Sequence, residues 1–278
     1  MGSQERRRKA RERFAAIVAR DETELDLAGA ALMIAEEQYD DLDLGATLAA
    51  LDQVADNARD EVWGAGHGDE QVRALARHLG GPEHFRGNVD DYYDARNSYL
   101  NDVLERRLGI PITLAVVYIE VGRRLGVKVE GVAFPAHFLV RGPEGALFDP
   151  FARGMELDDG ALHALAVRVG APLALRLRRD TLPGAGKKAI LFRMLHNLRA
   201  IYQRDRDTAR LLGAMDRQLA LVPEAAELYR DRGLLLAQAG SPGRAAADLE
   251  HYAELRPAAA DAGEARRVAT RLRATLLN

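Results

Sequence analysis

Two side chains in this sequence are placed to share a proton. His137 lies in the alternating run Phe134-Pro-Ala-His-Phe-Leu-Val-Arg141, Asp149 ends Leu147-Phe-Asp149, and Gly142-Pro-Glu-Gly145 separates them. Period-two patterning on both sides of a Gly/Pro turn predicts a hairpin. Pairing Arg141 with Leu147 or Ala146 puts Asp149 within about one position of His137 on the facing strand. An imidazole oriented by a carboxylate can act as a general base on water, a contribution of ~10²–10⁴-fold. The same pair can also do no more than steady a hairpin.

What the imidazole could activate is limited by composition. The chain has no cysteine in 278 residues, so thiolate catalysis, disulfides and Cys-ligated zinc are excluded. The hydroxyls nearest in sequence to a helix start are Thr113, Ser98 and Tyr99, and a hydroxyl nucleophile needs its base within hydrogen-bond reach. His67, His78 and His84 lack the four-residue helical spacing with a carboxylate that zinc-binding helices show, so no metal and no cofactor are expected.

The elements that must position these groups are legible from periodicity. Tyr99, Leu100, Val103, Leu104 and Leu108 repeat at helical steps, with Asn97 or Ser98 as the expected cap and Gly109 as a left-handed exit. Pro111 is suited to open the next helix, where its missing N–H costs nothing. From Ile112 to Val121 that helix has almost no polar face, which predicts burial nearly all round. Val127 and Val129 then begin a strand pattern, and Tyr92 and Tyr93, in a loop, could cover a groove above His137.

Helix, strand, histidine, turn, strand, aspartate is the resulting order. Together with Asn97-Ser-Tyr-Leu100, Gly109-Ile-Pro-Ile-Thr-Leu114, Phe134 to Arg141 and Phe148-Asp-Pro-Phe151, it resembles the transglutaminase-like superfamily, specifically its bacterial SirB-type branch. There a core domain precedes tetratricopeptide (TPR) repeats, and the resemblance runs from about Leu25 to about Pro257. It implies an α+β, predominantly helical fold: a transglutaminase-like (papain-like) core with a small antiparallel sheet, followed by TPR-type helical hairpins. In members that catalyse, a thiolate at the start of the buried helix attacks an amide, activated by a His and an Asp on adjacent strands. Carried over, His137 and Asp149 take those two positions. The nucleophile position falls at Pro111, give or take one residue, with Asn97 and Thr113 as neighbours. Proline has no nucleophilic group, so the resemblance implies a vestigial site and a pseudoenzyme.

The expected organisation is a basic N-terminal helix or arm over 1–22, a core over 23–184 and a TPR-like region over 185–278, with Leu182-Pro-Gly-Ala-Gly186 as the boundary. Leu173, Leu175 and Leu177 suggest one more strand before it. Pro223 and Pro257 are one TPR period apart, which gives repeats at about 192–225 and 226–259 and a closing helix at 261–277. Two repeats fall short of independent stability, so this region should dock on the core. His196 and Tyr202 face either a TPR groove or that docking surface. Arg193, Arg199, Arg204 and Arg206 form a basic series suited to an acidic peptide terminus, although Asp205 and Asp207 between them also fit a solvated face.

A net charge of −3 and the absence of a recognition motif argue against nucleic acid. The longest apolar run, Ile112–Ile119, is far short of the ~20 residues that span a bilayer. Arg6-Arg7-Arg8-Lys9 is not followed by a signal-type apolar stretch. A soluble, cytoplasmic protein is expected, and nothing in the pattern specifies its oligomeric state. The function expected is non-catalytic: a regulatory module that binds a protein or peptide through the TPR groove and the core cleft. The alternative is a hydrolase of amidase or peptidase type that uses His137 and Asp149 with water or a hydroxyl nucleophile.

Overall fold

Aspartates mark where several helices begin. Asp26, Asp43, Asp158 and Asp207 each accept the backbone N–H three residues on, at 3.1, 2.9, 2.7 and 3.0 Å, which satisfies a donor the first helical turn leaves unpaired. In the computed structural model, which describes residues 3–171 and 178–276, the first three open α2 (Leu27–Glu36), α3 (Leu44–Trp63) and α7 (Asp159–Arg168). The other helices of the first two thirds are α1 (Ser3–Val18), α4 (Asp69–Gly80), α5 (Leu100–Arg106) and α6 (Pro111–Leu125). The strands are β1 (Arg86–Gly87), β2 (Leu108–Gly109), β3 (Glu130–Phe134), β4 (His137–Arg141), β5 (Leu147–Asp149), β6 (Met155–Leu157) and β7 (Gly184–Ala185). Strands β3 to β7 form an antiparallel sheet in the order β6-β5-β4-β3-β7, while β1 and β2 pair in parallel.

Helix α6 is the centre of the core, as its composition predicts. Every residue from Pro111 to Tyr118 is buried, and the one acidic group on it, Glu120, is neutralised by Arg124 at 2.7 Å and Arg123 at 3.1 Å. Strand alternation splits the sheet between two apolar layers. Phe138, Val140 and Phe148 join the layer built on α6, whereas Val132, Leu139 and Leu147 join Leu162 and Leu165 of α7. The predicted turn closes through Gly145 N–H to Gly142 C=O at 3.1 Å and is held from outside by Asp69, whose carboxylate accepts from Glu144 and Ala146 N–H at 3.0 and 2.7 Å. A Cβ at position 142 would fall on that carboxylate, so any larger residue there would displace Asp69 from the turn.

The structure corrects several local expectations. The register is Arg141 with Leu147 and Val140 with Phe148, which places Asp149 opposite Leu139, two positions from His137 rather than one. The pair still meets because an even offset keeps both side chains on one face. Neither Asn97 nor Ser98 caps α5: they lie in a short 3-10 turn over Ala95–Ser98, and Tyr99 precedes the helix without a side-chain cap. The left-handed exit is Arg107 (φ 61°), and Gly109 instead pairs with Gly87 in β2. Regular strand structure begins at Glu130, after Val127 and Val129. The strand expected at Leu173–Leu177 lies outside the described residues. Gly184–Ala185, within the expected boundary stretch, are the strand β7 paired with β3.

The remaining chain folds as α8 (Lys187–Arg204), α9 (Thr208–Leu221), α10 (Ala226–Gln238), α11 (Pro242–Leu255) and α12 (Ala262–Ala274). Helix α8 docks on the core: Ile190, Leu191, Met194, Leu195 and Leu198 belong to the same apolar layer as α6. Tyr202 of α8 and Tyr99 share a buried hydroxyl–hydroxyl hydrogen bond, and burial pushes the Tyr202 hydroxyl up to about 12. Charge reinforces the docking. Glu37, just past α2, receives Arg217 from α9 and Arg11 from α1, and Arg11 also reaches Asp216 at 2.9 Å.

Candidate binding groove at the His137–Asp149 pair

His137 Nε2 donates to Asp149 Oδ1 at 2.9 Å, with His137 only 6% exposed and Asp149 fully buried. The hairpin brings the ring to that carboxylate. Phe134 pairs with His137 across a two-residue loop whose second member, Ala136, has φ 50°, a conformation that costs a non-glycine residue of order 1 kcal/mol or more. Asp149 Oδ1 also accepts Phe151 N–H at 3.0 Å, which fixes the carboxylate as the chain turns. Its other oxygen has no hydrogen-bond partner among the described residues and lies 3.9 Å from Arg168 Nη2. Burial, and then the Asp149 charge, raise the hydroxyl of Tyr118 above its ordinary value, so that group stays protonated.

Asp149 takes Nε2, so the other ring nitrogen, Nδ1, is the one left for chemistry or for a ligand. The ring lines two adjoining clefts of about 490 and 710 Å³. Both are also walled by Tyr92, Tyr93, Pro111 and Ala136, so they form one groove with its waist at Pro111 and His137. On one side the groove continues to Phe192, Arg193, His196 and Asn197 of α8, and on the other to Val89, Phe151, Arg168 and Val169. Tyr92 and Tyr93 therefore wall the groove, as the loop reading allowed. Tyr93, Tyr92, Phe151 and His137 form a chain of edge-to-face rings 5.4 to 6.0 Å apart, and Arg204 of α8 stacks 5.2 Å from Tyr93.

The hydroxyl candidates are not in this groove. Thr113 and Ser98 are fully buried, each oxygen without a hydrogen-bond partner among the described residues, and Tyr99 is engaged with Tyr202. Asn97 is fully buried too and acts as a clamp. Its Nδ2 donates to the carbonyls of Asp91 and Tyr92 at 2.7 and 3.2 Å, and its Oδ1 accepts from Asn88 at 3.0 Å. It thereby ties the Tyr92–Tyr93 loop to the residue before α6, because Ile110 N–H donates to Asn97 C=O at 3.2 Å. Among the described residues no three His, Asp or Glu side chains converge as metal ligands.

The four arginines do not line one surface. Arg193 faces the His137 groove, Arg199 and Arg206 line a separate cleft between α8 and α10, and Arg204 pairs with Asp205 beside Tyr93. His196 lies in the His137 groove, and its pKa is lowered by burial and by Arg199 and Arg193, which favours the neutral ring. Two groove residues gave no sequence signal. Arg168 sits on a helix whose partner surface is nonlocal, and Asn197 is visible only as one turn beyond Arg193.

Comparison with known proteins matches residues 45–196 to the transglutaminase-like superfamily and residues 198–273 to the tetratricopeptide repeat. A UPF0162 protein of Xylella fastidiosa is 41% identical over 245 residues, 85% of this chain and 86% of that protein. A UPF0162 protein of Vibrio cholerae is 30% identical over 174 residues, 61% of this chain and 64% of its own length. F-box only protein 21 of Mus musculus is 38% identical over 151 residues, 52% of this chain and 24% of the mouse protein.

Proposed function

This chain belongs to the transglutaminase-like superfamily and carries tetratricopeptide repeats, and from that premise we propose that it is a binding or regulatory protein that holds an extended peptide across Pro111 and His137. One observation carries the reading: the groove is open and aromatic-walled at Pro111, the first residue of α6, to which the resemblance assigns the superfamily's nucleophile position. With no cysteine in the chain, the superfamily's thiol chemistry has no nucleophile. Part of the sequence recurs within the much longer F-box only protein 21, which fits a unit that serves by binding. The TPR-type hairpins suit the same task, since such repeats stack into extended surfaces. Absence of cysteine also fits a reducing, cytoplasmic setting.

The test is site-specific photo-crosslinking in the full chain. A photoreactive phenylalanine at Tyr93, on the groove wall, should yield adducts with a partner peptide. The same group at exposed Trp63, beside the far end of α6 and roughly 20 Å away by helix length, should not. Equal adducts at both positions, or none at Tyr93, overturn the reading.

A second reading rests on a different feature: His137 is braced by Asp149 and its ring lines the groove. That arrangement suits water activation for hydrolysis of an amide or peptide bond. Peptide turnover by the wild type that disappears in His137→Ala supports it, and equal background in both removes it.

A further inference from the structure

Charge decides what such a groove selects. Arg193 and His196 line it on one side of the waist and Arg168 on the other, and among the described residues no carboxylate reaches its walls. Asp149, behind the His137 ring, is fully buried, with one oxygen bonded to His137 and Phe151 N–H and the other 3.9 Å from Arg168. The strip is local, since the whole chain carries −3.

Arg193 is the informative residue. Other part-buried guanidiniums end on carboxylates: Arg217 on Glu37, Arg232 on Asp216 and Asp248, and Arg11 on Glu37 and Asp216. Arg193 instead donates through Nη2 to the carbonyls of His137 at 3.2 Å and Phe134 at 3.5 Å. Those two oxygens pin the fork beside the His137 turn. Its Nε and Nη1 make no hydrogen bond among the described residues, which leaves those N–H groups for a ligand. Burial lowers the pKa of this group, as expected of a cation without a counter-ion. The groove is walled on both sides of its waist, so it suits the middle of a chain rather than its end.

Building on the peptide-groove reading, we propose that the occupant is an extended acidic segment whose Asp or Glu side chain accepts a charge-assisted hydrogen bond from a free N–H of Arg193. The neighbouring apolar side chain of that segment packs on Tyr92 and Phe151, under Val89, which is 74% exposed and waiting for cover.

The experiment is fluorescence anisotropy on the full chain with labelled, end-blocked peptides of alternating Glu and Leu, against the same peptides with Gln for Glu. The acidic series should bind at least tenfold tighter in low salt and lose that advantage as ionic strength rises. Arg193→Gln should erase the difference between the two series, and Arg193→Lys should retain part of it. Circular dichroism melts confirm that both variants fold. Equal affinity for the two series in the wild type overturns acidic selection while sparing the peptide groove. So does tight binding only when the peptide end is a free carboxylate. Failure of both series to saturate removes the peptide groove itself, and this proposal with it.

Discussion

Placing a thiol at residue 111 gives the sharpest check on the site. Pro111 is the first residue of α6 and lines both clefts together with His137, whose Nδ1 is not used by Asp149. In Pro111→Cys the sulfur should therefore stand at a helix N-terminus beside an imidazole. Those two influences bring cysteine pKa values from about 8.5 down to about 3.5–7.5. A value near 6 would raise the thiolate fraction at pH 7 from about 3% to about 90%. Since the chain contains no other cysteine, alkylation by iodoacetamide reports this one group, and its rate against pH gives the midpoint directly. The midpoint should fall below about 7.5, and His137→Ala in the same background should raise it by about a unit, leaving the helix contribution in place. The cost to stability should be small, about 0.4–1 kcal/mol, because only the proline's restriction of the unfolded chain is lost. A midpoint near 8.5 that ignores His137→Ala would refute the placement of Pro111 at the nucleophile position.

Three further outcomes follow from the packing. Glu37→Gln strips the counter-charge from Arg217, leaving Arg11 with Asp216 alone, and should cost about 3–5 kcal/mol in urea unfolding, whereas Glu12→Gln, in the exposed Arg8–Glu12 pair, should cost much less; equal effects would contradict the burial argument. Burial alone would raise the Glu37 carboxyl, but Arg217 and Arg11 outweigh it and hold it below the ordinary glutamate value. Its stabilisation is therefore complete above that value and is lost as pH falls through the folded one, so the wild-type advantage over Glu37→Gln should vanish in acid melts. Asn97→Ala removes four side-chain hydrogen bonds, one of them a long contact from Arg106, and should cost about 2–3 kcal/mol while making the Tyr92–Tyr93 loop a protease target; an unchanged cleavage pattern would deny the clamp. Truncation before Lys187 takes Ile190, Leu191, Met194 and Leu195 out of the core and should leave a dye-binding, non-cooperative product, and a cooperative melt of residues 1–186 would show the core to be self-sufficient.

Local signals settled a good part of this protein. A run of apolar residues after Gly109-Ile-Pro specified a buried helix starting at Pro111, and period-two patterns around Gly142–Gly145 specified the hairpin, because each depends on side-chain spacing within one element. The absence of cysteine ruled out thiol chemistry before any geometry was known. Tertiary structure decided the rest. The His137–Asp149 hydrogen bond depends on a register in which the two residues are offset diagonally, and a hairpin's register is set by its turn and by the layers it packs between. Asn97 became a buried clamp, and Thr113 was sealed in the core, because neighbours far away in sequence covered them. Arg193, expected on a TPR surface, was turned into the groove by the docking of α8, a contact between segments more than fifty residues apart that no local periodicity encodes.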